Sequence, residues 1–325
     1  MRQQVPIIIA VLALGAALGA GHARAGDALK IDKRTLKAAN ADYAIDAEYP
    51  QVGIASIDDD IKDWVEAEAA DFRKSAAPDP QSATGAWTLD IGYSIERNDA
   101  KALAVLFTES TYTGGAHPNH GFRTFNYLLP DGARVDLAQV VDGRKGLARL
   151  SEIVGADLVK RIGGADGVSD AESIRSGTTP EWANFENFLL LPDALEFHFP
   201  PYQVAAYFAG PQEARVALAA LRGVLRTDWR APVASFDCAK AATPVEHAVC
   251  ADATLARLDR EVAQAYATRQ HNVSGDAATA QALRTAQRTW LGHRDAACKD
   301  RTGATLAACL VGVYRTRLAE LSQTP

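Results

Sequence analysis

All four cysteines of this 325-residue chain, Cys238, Cys250, Cys298 and Cys309, fall in its last third. An even count confined to one segment of an exported chain reads as two disulfides, with a metal site as the alternative. The N-terminus bears on that choice. "MRQQVPIIIAVLALGAALGAGHARA" has one arginine ahead of an apolar run, then small residues leading to Ala23-Arg24-Ala25. This is the pattern of a secretory signal peptide over residues 1–25, with mature protein starting near Gly26. A retained membrane anchor is the competing reading; the glycines in the run and the A-x-A site weigh against it. No cysteine lies near that site to carry a lipid. The cysteines also lack C-x-x-C spacing, so disulfides are expected. Four cysteines allow three pairings, which sequence alone leaves open. Local pairing would close two short loops, each worth about 3 kcal/mol in the chain-entropy model.

Beyond Gly26 no segment is apolar enough to span a bilayer, so a periplasmic or secreted location without a membrane span is expected. Roughly 300 residues suit two domains better than one. The formal charge of −6 is unevenly spread. From Ser235 onward 11 Lys/Arg face 9 Asp/Glu, a net +2, whereas residues 26–234 carry 21 against 31, a net −10. That acidity argues against nucleic acid as a partner and favours a basic one.

The middle of the chain reads as a sheet. From Trp87, Leu89, Ile91, Tyr93 and Ile95 alternate with polar residues, the period of a half-buried strand. "ALAVLFTESTY" and "FRTFNYLL" follow as further strands, the latter ending in "PDG", a turn tripeptide. The stretch "TYTGGAHPNHG" between them is expected to be the tip of a hairpin. "NFLLL" and "ALEFHF", joined by Pro192-Asp193, predict a second strand pair. Helical spacing marks "DDIKDWVEAEAADF" and "GLARLSEIVGADLVKRI", whose apolar stripes would pack on the sheet. "KSAAPDPQSATG" reads as a mobile loop. Mixed element order with hairpins indicates an α+β fold: an antiparallel-sheet domain with packed helices over residues 26–230.

After "RTDWRAPVASF" strand signals stop, and residues 235–325 predict a small all-α, disulfide-stapled domain. Thr243-Pro244-Val245-Glu246 is a capping box with proline at the first helical position. "SFDCAKAATPVEHAVCADATLARLDREVAQAY", "QRTWLGHRDAACKD" and "CLVGVYRTRLAEL" together resemble the LprI-type lysozyme inhibitor domain. The resemblance covers Phe236 to Leu321. Its landmarks are an F-D-C start, L-x-x-L-D, Q-x-x-W-x-x-x-R-D and Y-x-x-R-x-x-x-L.

"YTGGAHPNHGFRTFNYLLPDG" and "LEFHFPPYQVAAYFAGPQEARVAL" resemble the extracellular domain of the lysozyme-sensing anti-sigma factor RsiV. The same domain accompanies the catalytic domain of the peptidoglycan deacetylase PdaC. This second likeness spans roughly Ala41 to Leu225, and the chain is expected to carry neither an anti-sigma segment nor a deacetylase catalytic domain. The two resemblances imply a lysozyme-type muramidase as protein partner, with peptidoglycan as the alternative ligand.

No catalytic constellation stands out. His117 and His120 could supply two zinc ligands, but a site needs three or four, and no H-E-x-x-H or H-x-H supplies the rest. No G-x-S-x-G elbow is present, and no cysteine is left to pair with a histidine. Asp58-Asp59-Asp60 reads as a helix cap and dipole partner. The chain is therefore expected to be a non-enzymatic binder without cofactor or metal. The groups expected to meet a partner are Gly114, Gly115, His117, Pro118 and Asn119 of the hairpin tip, with Pro201 and Tyr202. Tyrosine and proline bury area at low entropy cost. The competing reading places Tyr202 and Tyr207 in the core.

Overall fold

A computed structural model describes residues 28–76, 86–164 and 167–322. The signal-peptide expectation and most of the expected mobile loop lie outside the described residues.

The first sheet runs in sequence order: β1 (Asp32–Ala39), β2 (Tyr43–Gln51), β3 (Trp87–Asn98), β4 (Ala102–Tyr112), β5 (Asn119–Leu128) and the short β6 (Ala133–Arg134). All neighbours pair antiparallel except β2 and β3. That parallel pair follows from the crossover between them, which is the helix α1 (Ala55–Ser75). Parallel neighbours need such a long connection, whereas hairpins suffice elsewhere. The antiparallel expectation thus holds for every pair but this one.

Ile57, Ile61, Val65, Ala69 and Phe72 recur every three or four residues on α1 and are buried. They meet Ile45, Leu89, Ile91, Val105, Phe107, Phe125 and Tyr127, the inward positions of the strands. The alternate residues of β4 and β5 serve the opposite face. There Ala104, Leu106 and Phe122 pack on Leu189, Leu191 and Ala194 of a second sheet, β7 (Phe188–Leu190), β8 (Ala194–Phe199) and β9 (Gln212–Ala217). Buried Asn126 ties the two sheets together: its Nδ2 donates to the Phe188 carbonyl at 2.8 Å, and its Oδ1 accepts from the Leu190 N–H at 2.7 Å. The outer face of the second sheet, with Leu195, Phe197 and Phe199, is covered by Leu147, Leu150, Val154 and Leu158 of α3 (Gly143–Ile162). The layers are therefore helix, sheet, sheet, helix. Two short helices, α2 (Leu137–Val140) and α4 (Ala171–Gly177), flank α3.

The C-terminal region is all helical: α5 (Pro244–Ala251), α6 (Ala253–Asn272), α7 (Ala277–Ala297) and α8 (Gly303–Ser322). The Thr243 hydroxyl accepts from the Glu246 N–H while the Glu246 carboxylate accepts from the Thr243 N–H, so the capping box forms as read. Disulfides join Cys238 to Cys250 and Cys298 to Cys309. Ion pairs between Arg260 and Asp136 and between Arg315 and Asp63 dock α6 and α8 on the sheet domain. Among the described residues no helix is long and apolar enough to cross a membrane.

Candidate functional site

β4 and β5 pair to the end of their hairpin, with Thr111 opposite Asn119, so residues 113–118 form its tip. Gly114 sits there at φ +85°, a conformation glycine adopts without steric cost. The tip does not stand alone. The His117 ring stacks on Tyr207 with centroids 3.7 Å apart and planes 20° apart. The Tyr207 hydroxyl donates to the Pro118 carbonyl at 2.8 Å. His120 lies farther off, 6.3 Å from the same ring, and Tyr202 reaches it at 5.6 Å. Two segments some ninety residues apart in sequence thus form one aromatic rim.

The far half of the rim is held rigidly. Tyr202 is the one non-glycine residue with positive φ, +74°, among the described residues. Such a backbone costs of order 1–3 kcal/mol and persists only where its surroundings over-determine it. The surroundings are plain: Val204 and Ala205 are buried, and the Tyr202 N–H donates to the Ala205 carbonyl at 2.9 Å. Gln203 Nε2 donates to the Gly177 and Asn184 carbonyls, both at 3.0 Å. Gly177 must be glycine for this approach, since a Cβ there would lie 1.9 Å from the Gln203 carbonyl oxygen. With its neighbours anchored, Tyr202 projects outward at 64% exposure, and Phe208 at 79%.

All seven residues singled out from sequence as partner contacts therefore fall on or beside this rim. Tyr202 is exposed, which corrects the core reading for that residue, while Tyr207 is half-buried as the hinge between the two segments. Phe208 escaped the sequence reading; its only signal was an unpatterned aromatic within "VAAYFAG". Among the described residues no group of three or more histidine, cysteine, aspartate or glutamate side chains could hold a metal.

In the helical module, the family landmarks turn inward. The Tyr314 hydroxyl donates to Asp259 at 2.9 Å and lies 3.0 Å from Arg294, all three buried. Burial and then the Asp259 charge push the Tyr314 hydroxyl pKa well up. Trp290 lies edge-on to Tyr314 at 5.4 Å, with Arg294 and Arg317 each within 6 Å of its ring. Asp259 also accepts from the Ser235 N–H at 2.8 Å, tying the start of the module to its centre. The motif that marks the family is a structural network.

Residues 238–321 match the family model described as lysozyme inhibitor LprI. The chain carries a C-terminal LprI domain. Ahead of it, residues 36–120 match the model described as deacetylase PdaC, and residues 140–219 match DUF3298, a family of unknown function. The peptidoglycan-N-acetylmuramic acid deacetylase PdaC of Bacillus subtilis strain 168 is 29% identical over 189 residues. Those residues are 58% of this chain and 39% of that protein, so the chain spans about two fifths of the relative's length. Among solved structures, a DUF3298 family member from Bacteroides fragilis NCTC 9343 aligns at TM-score 0.45 and 17% identity, covering 62% of this chain and 96% of that one. A DUF3298 protein from Pseudomonas aeruginosa PAO1 aligns at TM-score 0.44 and 14% identity, covering 62% and 97%. The LprI domain, its disulfides and the lack of a spanning helix among the described residues fit an extracellular or periplasmic protein.

Proposed function

We propose that this chain is an exported, non-enzymatic envelope protein that binds and inhibits a lysozyme-type muramidase. The aromatic rim of His117, Tyr202, Tyr207 and Phe208 is its contact surface. The observation that carries this reading is the His117–Tyr207 stack, which fixes the hairpin tip against a turn that holds Tyr202 outward. A rigid, exposed aromatic knob binds with little loss of side-chain entropy, the property that makes tyrosine a frequent anchor at interfaces. The LprI match and the net −10 of residues 26–234 support the choice of partner, because muramidases are typically basic and an acidic domain steers them in.

The test is muramidase activity on cell-wall substrate with added mature protein. Stoichiometric inhibition is expected, with Tyr202→Ala weakening it about tenfold or more if the residue anchors the interface. No inhibition and no binding across several lysozyme classes would reject the reading. A second reading has its own support: exposed Tyr202 and Phe208 can stack on sugar rings, and the curated relative acts on peptidoglycan. Retention on insoluble cell wall, lost in a Tyr202→Ala, Phe208→Ala double variant, would favour it.

A further inference from the structure

A cleft of about 1260 Å³ opens between α1 and the first sheet on one side and α6 and α8 on the other, with none of the hairpin-tip residues 113–118 in its lining. Its charged walls fall into two kinds. Asp60 pairs with Arg134 at 3.0 Å, and Glu261 pairs with Arg257 at 2.8 Å. Arg123 is different. It stands on β5 opposite Phe107, just past the part of the sheet that α1 seals. Its side chain is half-buried, yet its Nε is closed off from solvent and makes no hydrogen bond. Burial and then the Arg134 charge lower its pKa, against the Glu261 and Glu186 charges, and its guanidinium lies 5.7 Å from the Phe125 ring centre.

Besides Glu261, which Arg257 holds, three carboxylates feel the charge of this guanidinium without bonding it: Glu68 from α1 and Glu186 after the turn at Trp182–Phe185, both lining the cleft, and Glu109 from β4. Burial raises the pKa of each, more than the Arg123 charge lowers it. A fold that needed Arg123 only for stability would close it on one of these, as it closes Arg134 on Asp60 in the same wall. Left apart, the guanidinium lacks a hydrogen-bonded anion among the described residues, and Glu109 and Glu186 lack a side-chain N–H donor there, while Glu68 has one from Trp64. Trp64, whose Nε1 donates to Glu68 at 3.0 Å, adds an apolar wall beside them.

We propose that this cleft binds a small amphoteric ligand of amino-acid or short-peptide type, its carboxylate on Arg123 and its ammonium on Glu68 and Glu186. The volume is ample for a few residues of peptide, since ligand pockets commonly measure about 300–1,000 Å³. A guanidinium holds a carboxylate through two parallel N–H···O bonds, so both ends of the ligand contribute orientation as well as affinity.

The test uses the full mature chain titrated with alanyl-alanine, N-acetyl-alanyl-alanine and alanyl-alaninamide, followed by calorimetry and backbone amide shifts. Saturable binding of the free dipeptide is expected, with each capped analogue weaker by about tenfold or more, the effect of deleting a charged hydrogen bond. Arg123→Gln should abolish binding, and Arg123→Lys, which keeps the charge beside Glu68, Glu109 and Glu186 but lacks the two-pronged N–H fork, should bind the dipeptide about tenfold or more weakly with little change in melting temperature. Failure of the free dipeptide to bind, equal binding of the capped analogues, or undiminished dipeptide affinity in Arg123→Gln would overturn the proposal. Each of these is read without reference to muramidase inhibition.

Discussion

Glu109 illustrates how one side chain can carry information that its sequence neighbours hide. In "LFTESTY" it is an ordinary polar position of a strand that turns solvent-ward. In the fold it follows Phe107 on the face that α1 covers, and burial, then the charge of Glu68, raise its carboxyl to about 7, with Arg123 opposing. The linkage has a definite sign. A carboxyl that binds its proton more tightly folded than unfolded gives most stability below its ordinary value of 4.5, and that stability is lost as pH rises from there through about 7. Asp60 and Glu261 act in the other direction: burial opposes ionisation, but neighbouring guanidinium charges outweigh it and lower their pKa values. Their stabilisation is present above the ordinary carboxylate range and fades as pH falls below it. Thermal melts across this interval should therefore fall from mildly acidic to mildly alkaline pH, and Glu109→Gln should flatten that slope. An unchanged slope in the variant would show that Glu109 titrates normally.

At the scale of elements, local chemistry and long-range chemistry divide cleanly. The α5 capping box, the α1 and α3 stripes and the alternating strands β3 and β8 were legible because each rests on residues a few positions apart. β1 was not. "DKRTLKAA" lacks an apolar alternation because it is an edge strand, and its lysines are paired across to β2, Lys33 with Glu48 at 2.7 Å and Lys37 with Asp46 at 2.6 Å. Charged edges of this kind protect a sheet from pairing with another chain, at the expense of the pattern by which strands are recognised. The helical module shows the opposite balance. Val249, Leu255, Leu310 and Tyr314 are fully buried, but the core they form is small. The Cys238–Cys250 bridge closes a loop of sequence separation 12. Replacing both cysteines with serine should cost about 3 kcal/mol, from the freedom regained by the unfolded chain. Far-ultraviolet circular dichroism should register an earlier loss of helix, with the sheet domain melting where it did before. A joint shift of both transitions would mean that the module and the sheets unfold as one unit.

At the scale of the whole molecule, charge is distributed by domain. The acidic sheet region meets the slightly basic helical module through Arg260–Asp136 and Arg315–Asp63, so part of its negative charge is answered within the chain. What remains faces outward. If that field steers a basic muramidase, association should slow markedly between low and physiological salt while dissociation changes little. Stopped-flow or surface-plasmon kinetics over a salt series would separate the two rates. A dissociation rate that carries all the salt dependence would place the charges inside the contact instead of around it.

The sequence by itself determined the two-part architecture, the C-terminal family and the residues of the hairpin tip, because caps, periodicities and motif spacings are local properties of the chain. It also nominated Tyr202 while leaving open whether that ring was core or surface. Only the tertiary structure decided that question, through Gly177 and Gln203, which fix a strained turn from beneath. It alone brought His117 onto Tyr207 and set β2 beside β3 in parallel. Arg123, Glu68 and Glu186, from three separate elements, acquire a shared environment in the same way. Contacts across such separations depend on how layers pack, and no spacing in the chain encodes them directly.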